Sequence, residues 1–184
     1  MGAGLDKLYA AALWASALCL AAIASLVGLQ LAGRLIDGAL ALVHLPRTDF
    51  VILSLSEFCG YLLAAASFLA LAGTLKSGTH IRVTMALHAF GPYRRFAELW
   101  AFAAAMLVSG YVTWHLSNFT YVSWLFGEVS AGVVRVSLWY PQAAMALGSG
   151  ILTIALADEC VRVWQSGRPS FQQAEDAITL GKEG

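Results

Sequence analysis

Glu57 is the ionisable residue whose position in the sequence points most directly to chemistry. It lies seven positions into an apolar stretch that begins at Phe50. An isolated carboxylate in hydrocarbon is costly unless it is protonated, solvated or partnered. Glu57 therefore either belongs to an ion path or is a structural group that pairs with an arginine on its own side or with a neighbouring subunit. The structural role is favoured, because no second acid occupies the outer half of an apolar stretch.

Four histidines raise the possibility of a b-type haem, which requires two axial histidines at matching depth on facing helices. His80 and His88 fall in one connection and His44 falls in another. Only His115 lies in a long apolar stretch, near its end. The histidines do not supply an axial pair, and we expect no haem or other cofactor.

The cysteines and the common catalytic motifs also argue against an enzyme. Cys19, Cys59 and Cys160 show no C-x-x-C spacing, so we expect packed thiols rather than a disulfide or a zinc site. No G-x-x-x-x-G-K-[ST], G-x-G-x-x-G, H-E-x-x-H or G-x-S-x-G motif occurs. The sequence therefore lacks the usual local motifs for nucleotide binding, zinc-dependent hydrolysis and serine hydrolysis. We expect neither catalytic nor metal-binding residues.

The elements that position these residues follow from a very apolar composition. Of the 184 residues, 59% are hydrophobic and 12% are charged, against about 25% charged in a soluble domain. Eleven basic residues balance eleven acidic ones, which gives nucleic-acid binding no electrostatic support. A membrane-spanning helix needs about 20 apolar residues. Four stretches qualify, at about 8–32, 50–75, 95–119 and 138–161.

The sequence therefore predicts an all-α integral membrane protein with four transmembrane helices in a single membrane domain, 1–184. Residues 165–184 form a polar cytoplasmic tail. In the segment 81–90, apolar residues recur at helical spacing, which predicts a short amphipathic helix at the membrane interface between helices two and three. The first connection, 33–49, is too apolar for a free loop and either lies along the membrane or extends the first helix.

Basic and aromatic residues near the span ends predict the orientation and the depth in the membrane. Eight of the eleven lysines and arginines fall on the side of the two termini, so both termini should be cytoplasmic. The predicted membrane-interface anchors are Trp114, Trp124, Trp139, Trp164, Arg94 and Arg95.

Three further features have both a structural and a functional interpretation. Small residues recur every four positions on each span, including Gly60 and Gly148, and such stripes serve packing within the unit or docking to another membrane protein. Glu98 lies near Arg94 and Lys76, and an interfacial ion pair explains it. Glu128 and Ser130 form either a solvated turn or a surface for a periplasmic partner. The candidate subunit-interface or structural residues are Glu57, Gly60, His80, Arg82, Glu98, Glu128 and Ser130.

Four motifs, in this order along the chain, resemble those of one known family. They are Glu57-Phe58-Cys59-Gly60-Tyr61, Gly78-Thr79-His80-Ile81-Arg82-Val83, Gly127-Glu128-Val129-Ser130 and Leu138-Trp139-Tyr140-Pro141-Gln142. Together the motifs resemble the small, Q-type membrane subunit of tripartite ATP-independent periplasmic (TRAP) transporters. Members often carry an acid after His-Ile-Arg-Val, where this chain has Thr84.

The resemblance implies a small permease subunit in the bacterial or archaeal inner membrane. A large M-type subunit would carry the substrate and sodium sites, and a periplasmic binding protein would deliver an organic acid. The small subunit would then be a fixed scaffold among membrane lipids. Two other classes stay open on the residues alone: the membrane anchor of a redox enzyme, and a small autonomous transporter or channel.

Overall fold

The computed structural model describes residues 3–46, 48, 50–76 and 94–166. These residues form four α-helices, each with an apolar window long enough to cross a membrane, and they contain no strand. The predicted all-α fold with four spans is thus confirmed. The predicted interfacial helix at 81–90 and the tail beyond residue 166 lie outside the described residues. The helices are α1 (Ala3–Leu42), α2 (Leu55–Lys76), α3 (Arg94–Phe126) and α4 (Trp139–Ser166).

Helix α1 is much longer than the bilayer requires. Its 40 residues rise about 60 Å, whereas the hydrocarbon core is about 30 Å thick. Residues 33–42, which the sequence placed either along the membrane or in an extension of the first helix, extend α1. Alanine and leucine dominate this helix, and its sequence contains no proline.

His44 ends α1 in a left-handed conformation, with φ of 58°. Its N–H donates to the Ala41 carbonyl at 3.3 Å, and the N–H of Leu45 donates to the Leu40 carbonyl at 3.0 Å. This pair of bonds is the Schellman motif, in which glycine usually occupies the left-handed position. His44 is therefore a helix cap.

The chain after His44 folds back along the last turns of α1. The Asp37 carboxylate accepts a hydrogen bond from the Thr48 N–H at 2.7 Å, and the Gln30 side-chain oxygen accepts one from the Ile52 N–H at 2.9 Å. The Phe50 ring lies against Gly33, where a Cβ would be 2.8 Å from Cδ1 of that ring. As a result α2 begins at Leu55, five residues after the start predicted for the second span.

The helices contact one another in the spatial order α1, α2, α4, α3. Helices α1 and α2 approach closely where the Leu13 side chain lies against Gly73, and Ser16 Oγ donates to the Ala66 carbonyl at 2.8 Å. Helices α2 and α4 meet at Gly148, where a Cβ would come within 2.5 Å of the Phe68 carbonyl carbon. The four helices thus form an open row in which α2 and α4 are central.

Helices α3 and α4 are joined by hydroxyl groups. Ser109 Oγ and Thr153 Oγ1 are 2.8 Å apart, and Thr113 Oγ1 is 3.2 Å from the same Thr153 oxygen. Ser109 is buried, as is Ser149 beside it. Short polar side chains let the two backbones approach closely, and their hydroxyl groups form hydrogen bonds with one another in a medium without water.

Aromatic side chains cover the outside of the row. Trp114, Trp124 and Trp164 expose 60% or more of their surface, and Trp139 is half-buried and stacks on Tyr140 with ring centroids 3.9 Å apart. The role of these four tryptophans as anchors at the lipid headgroups stays a prediction. We also find Trp14 and Trp100 exposed, and neither was among the predicted anchors.

Candidate structural and interface site

On the side opposite the termini, the polar residues cluster around the connection between α3 and α4. Gly127 ends α3 with φ of +63°. Its N–H donates to the Trp124 carbonyl at 3.3 Å, and the N–H of Glu128 donates to the Ser123 carbonyl at 3.0 Å. This second Schellman motif has its usual glycine, since a residue without Cβ adopts positive φ without strain.

The Glu128 side chain returns to the same turn of α3. Its Oε2 accepts a hydrogen bond of 2.6 Å from Ser123 Oγ, and Ser123 is fully buried. The Glu128 carbonyl also accepts a bond of 3.0 Å from the Leu138 N–H at the start of α4. Glu128 therefore joins the end of α3 to the beginning of α4.

Ser130 holds the rest of the connection in shape. Its N–H donates to the Val136 carbonyl at 2.8 Å, and its hydroxyl donates to the Val134 carbonyl at 3.2 Å. A single β-bridge pairs Val129 with Ser137 next to these bonds. The buried Ser130 side chain thus satisfies backbone groups that would otherwise lack partners.

The connection is also fixed to the start of α2. Ser54 Oγ accepts a hydrogen bond of 3.2 Å from the Val134 N–H, 80 residues along the chain. Gly132 lies directly against the Glu57 carboxylate, where a Cβ would collide with Oε2. Tyr61, one turn along α2, interacts with both Glu57 and Ser130. We call residues 127–138 together with Ser54, Glu57 and Tyr61 the α3–α4 cap.

The structure corrects the predicted surroundings of Glu57. Glu57 is the third residue of α2, so it lies in the first turn and not seven positions into a span, because residues 50–54 belong to the fold-back along α1. Its Oε1 accepts a hydrogen bond of 2.9 Å from the Tyr61 hydroxyl. Among the described residues no arginine pairs with it. The start of a helix carries a partial positive charge, which also favours a carboxylate there.

Ser54 and Glu57 carry a signal that the sequence analysis missed. The pattern S-x-x-E at a helix start normally predicts a capping box, in which both side chains bond to the backbone of their own first turn. Here the Ser54 hydroxyl and the Glu57 carboxylate turn towards Val134 and Tyr61 instead. Ser54 and Glu57 therefore contact the connection between α3 and α4 in addition to starting α2.

A second polar group lies at the termini side of α4 and was also missed. Asp158 and Glu159 are 5% and 2% exposed, and Asp158 Oδ2 accepts a 3.1 Å bond from Nε of Arg162 in an ion pair. The i, i+4 spacing of Asp158 and Arg162 predicts such a pair on a helix. Tyr9 of α1 is buried nearby, in an apolar cluster with Ala155 and Leu156, so α1 and α4 meet beside this polar group.

The small-residue stripes divide between packing and exposed surface. Gly148 and Ser109 lie between helices, as described above. Gly60 has no atom within 4 Å of an added Cβ, and neither has Gly28 on α1. Gly60 and Gly28 therefore face open space on the outside of the row.

Several predicted residues cannot be placed in this site. His80 and Arg82 lie outside the described residues, and the same holds for the side chains of Arg94, Arg95 and Glu98, whose backbone begins α3. The cysteines are free and half-buried. In the part of the chain that the structure describes, no group of three or more His, Cys, Asp or Glu could hold a metal ion.

Four long apolar helices, with groups of polar residues at both ends of the bundle, define a multi-pass membrane protein. A family model described as "Tripartite ATP-independent periplasmic transporters, DctQ component" matches residues 47–166. The match covers well over half of the chain, and the chain belongs to this family of small TRAP transporter permease subunits. The matched segment contains the whole α3–α4 cap. Neither a curated protein nor a solved structure matches the chain.

Proposed function

We propose that this chain is the immobile scaffold of its transporter, against which the large membrane subunit moves. The family implies a large DctM subunit and a periplasmic binding protein as partners. The proposed process is secondary uptake of an organic acid, coupled to sodium, with the substrate and cation sites in the large subunit. The small subunit contributes a fixed position in the bilayer.

The observation that carries this proposal is the α3–α4 cap. The buried apolar cluster of Tyr9, Ala72 and Ala155 lies nearer the termini, so the helices could still slide or rotate past one another at the opposite end. The cap removes this freedom at one end, since it bonds the end of α3, the start of α4 and the start of α2 together. At the other end, Tyr9 of α1 is buried in one apolar cluster with Ala72 of α2 and Ala155 of α4, and this packing holds the three helices together.

The continuity of the four helices also supports a scaffold role for this chain. Transport sites in secondary transporters are typically built from discontinuous helices whose ends point at the substrate. In the described part of this chain the four helices are continuous. The hydroxyls of buried Ser109 and half-buried Thr153 bond to each other and to backbone carbonyls, so these groups stabilise helix packing.

We further propose that the protein lies in the inner membrane with both termini in the cytoplasm. The excess of basic residues on the side of the termini supports this orientation. The α3–α4 cap then faces the periplasm, where Glu128 is exposed. The exposed surface of α2 around Gly60 is a proposed contact with the large subunit.

The scaffold proposal is tested with the complete transporter. Gly60→Leu adds a bulky side chain at an open position of α2, so we expect normal folding of the small subunit but weaker co-purification with the large subunit and lower uptake. Arg82→Ala should have the same effect if the cytoplasmic connection also contacts the large subunit. Gly28→Leu, at an equally open position on α1, is the matched control. Substrate affinity of the isolated binding protein should not change.

Two results would contradict the proposal. The first is normal assembly and uptake in both Gly60→Leu and Arg82→Ala. The second is accumulation of an organic anion, driven by a sodium gradient, in vesicles that contain this chain alone.

A further inference from the structure

Helix α3 carries polar side chains on the side that faces away from the other helices. Tyr111, His115 and Asn118 recur at i, i+4 and i+7, which places them along one side of the helix, and all three side chains are exposed. Ser109 and Thr113, which bond to α4, lie on the opposite side. Because α3 is at the end of the row, none of the other three helices covers these side chains. We call the three residues the outer α3 strip.

The outer α3 strip lies deep in the membrane. Helix α3 continues to Phe126, beyond the predicted end of the third span at 119, so His115 is not near the end of its helix. The helical rise puts Asn118 about 12 Å and His115 about 16 Å from the end of α3. The α3–α4 cap joins this end of α3 to the start of α2, and α2 rises about 33 Å, close to the 30 Å or so of hydrocarbon. His115 and Asn118 therefore lie in the hydrocarbon core, with His115 near its middle.

His115 and Asn118 need hydrogen-bond partners that lipid tails do not supply. The imidazole ring and the amide group each donate and accept hydrogen bonds, and such a group without a partner is costly in an apolar medium. Thr113 and Thr120 on the same helix satisfy their hydroxyls with carbonyls one turn back. His115 contacts the Tyr111 ring, with ring centroids 4.3 Å apart. Within the described residues, no hydrogen bond joins the His115 or Asn118 side chain to another group.

A second protein helix meets this need, whereas lipid does not. Asn and His side chains in spanning segments form hydrogen bonds across pairs of helices, and ionisable residues there rarely face lipid. Leu107 and Leu125, which are 70% and 59% exposed, lie on the same side of α3 as the strip. The surface between them is about 27 Å long, which matches the contact of one spanning helix with another across most of the hydrocarbon core. The large membrane subunit that the family implies supplies such helices.

We propose that the outer α3 strip binds a spanning helix of the large subunit. That helix presents a polar side chain at the depth of His115 and Asn118 and exchanges hydrogen bonds with them, while the Tyr111 ring packs beside it. The inference rests on the proposed partnership with the large subunit. It adds a contact on α3 that is separate from the one around Gly60 of α2.

Photo-crosslinking in the complete transporter tests this contact. Photoreactive benzoylphenylalanine replaces Tyr111, which keeps an aromatic ring in the strip, and native membranes that contain the complex are irradiated. We expect a crosslink to the large subunit. Leu18 is the matched control, because it is 66% exposed on α1 and is two residues from Ser16, which bonds to Ala66 in the middle of α2. The same probe at position 18 should give a several-fold lower yield.

Apolar substitutions separate a role in assembly from a role inside this chain. Asn118→Leu and His115→Leu remove polar groups that face lipid in the isolated subunit, so the thermal stability of the isolated chain should stay the same or rise. Co-purification with the large subunit should fall several-fold, and most in the double variant. Asn118→Gln keeps the amide group and should retain more of the large subunit than Asn118→Leu does. Leu18→Ala should co-purify as the original chain does.

Three outcomes would overturn the proposal. A crosslink from position 111 to a second copy of this chain, or to no protein, would mean that another copy or lipid covers the strip. Lower thermal stability of the isolated Asn118→Leu chain would show that the amide acts within this chain. Weaker assembly in Gly60→Leu together with normal assembly in the double variant of His115 and Asn118 would leave the scaffold proposal intact and remove this contact.

Discussion

Ser123 and Glu128 are joined twice, once through their side chains and once through their backbones. The buried Ser123 hydroxyl donates to the Glu128 carboxylate at 2.6 Å, and the Glu128 N–H donates to the Ser123 carbonyl at 3.0 Å. The side-chain bond stabilises the same turn that the backbone bond closes. The end of α3 is therefore fixed in direction, and with it the path of the chain to α4.

The side-chain bond between Ser123 and Glu128 should stabilise the protein measurably. A hydrogen bond contributes about 1 kcal/mol, and more when one partner is charged. Ser123→Ala and Glu128→Gln should each lower the free energy of unfolding in detergent, and the double variant should lose less than the sum. Strict additivity in this double-mutant cycle would mean that the two side chains do not interact.

The two Schellman motifs predict opposite effects of two substitutions. Gly127→Ala places a Cβ on a residue with φ of +63° and should destabilise the protein by about 1 kcal/mol. His44→Gly removes a Cβ from a residue with φ of 58° and should stabilise it by a similar amount. Thermal denaturation in the same detergent measures both. A shift of the same sign in the two variants would contradict the cap assignments.

The contact between Gly132 and Glu57 predicts a rescue. Gly132→Ala introduces a methyl group that collides with the Glu57 carboxylate, and we expect lower thermal stability because the cap must move away from α2. Glu57→Ala vacates the space, so the double variant should regain most of the stability that Gly132→Ala loses in the original background. No such recovery would show that Gly132 is required for another reason.

The glycines of the stripes should differ sharply in their tolerance of alanine. At Gly148 an added Cβ would be 2.5 Å from the Phe68 carbonyl carbon, which is backbone and cannot rotate away. Gly148→Ala should therefore cost about 1–3 kcal/mol. Gly60→Ala meets nothing within 4 Å and is the matched control. Denaturant titration of the two variants, followed by helix content, gives the comparison.

The hydroxyl contact between α3 and α4 predicts a smaller effect. Thr153→Val keeps the shape of the side chain but removes its bonds to Ser109 and Thr113, and bonds of this kind contribute about 0.6 kcal/mol in membrane proteins. Thr120→Val removes only a bond to the Leu116 carbonyl of its own helix and should be closer to neutral. A greater loss of stability for Thr120→Val than for Thr153→Val would show that the hydroxyl contact does not hold α3 and α4 together.

The sequence by itself determined the number of spanning helices and the family resemblance. Hydropathy is a local property, because each spanning helix satisfies its own backbone hydrogen bonds and needs only a sufficient apolar length. The motif around Gly127 and the start of α4 near Pro141 could likewise be read locally, since caps depend on a few adjacent residues. The family match at 47–166 agrees with that interpretation.

Only the tertiary structure decided which helices touch and which polar groups meet. Equivalent small-residue stripes on α2 and α4 have different surroundings, with Gly148 packed against Phe68 and Gly60 open. The hydrogen bond from Tyr61 to Glu57 spans a single helical turn, whereas the approach of Gly132 to the same carboxylate became evident only in the structure. Contacts such as that between Ser54 and Val134 join residues 80 positions apart, and no local pattern encodes such a distance.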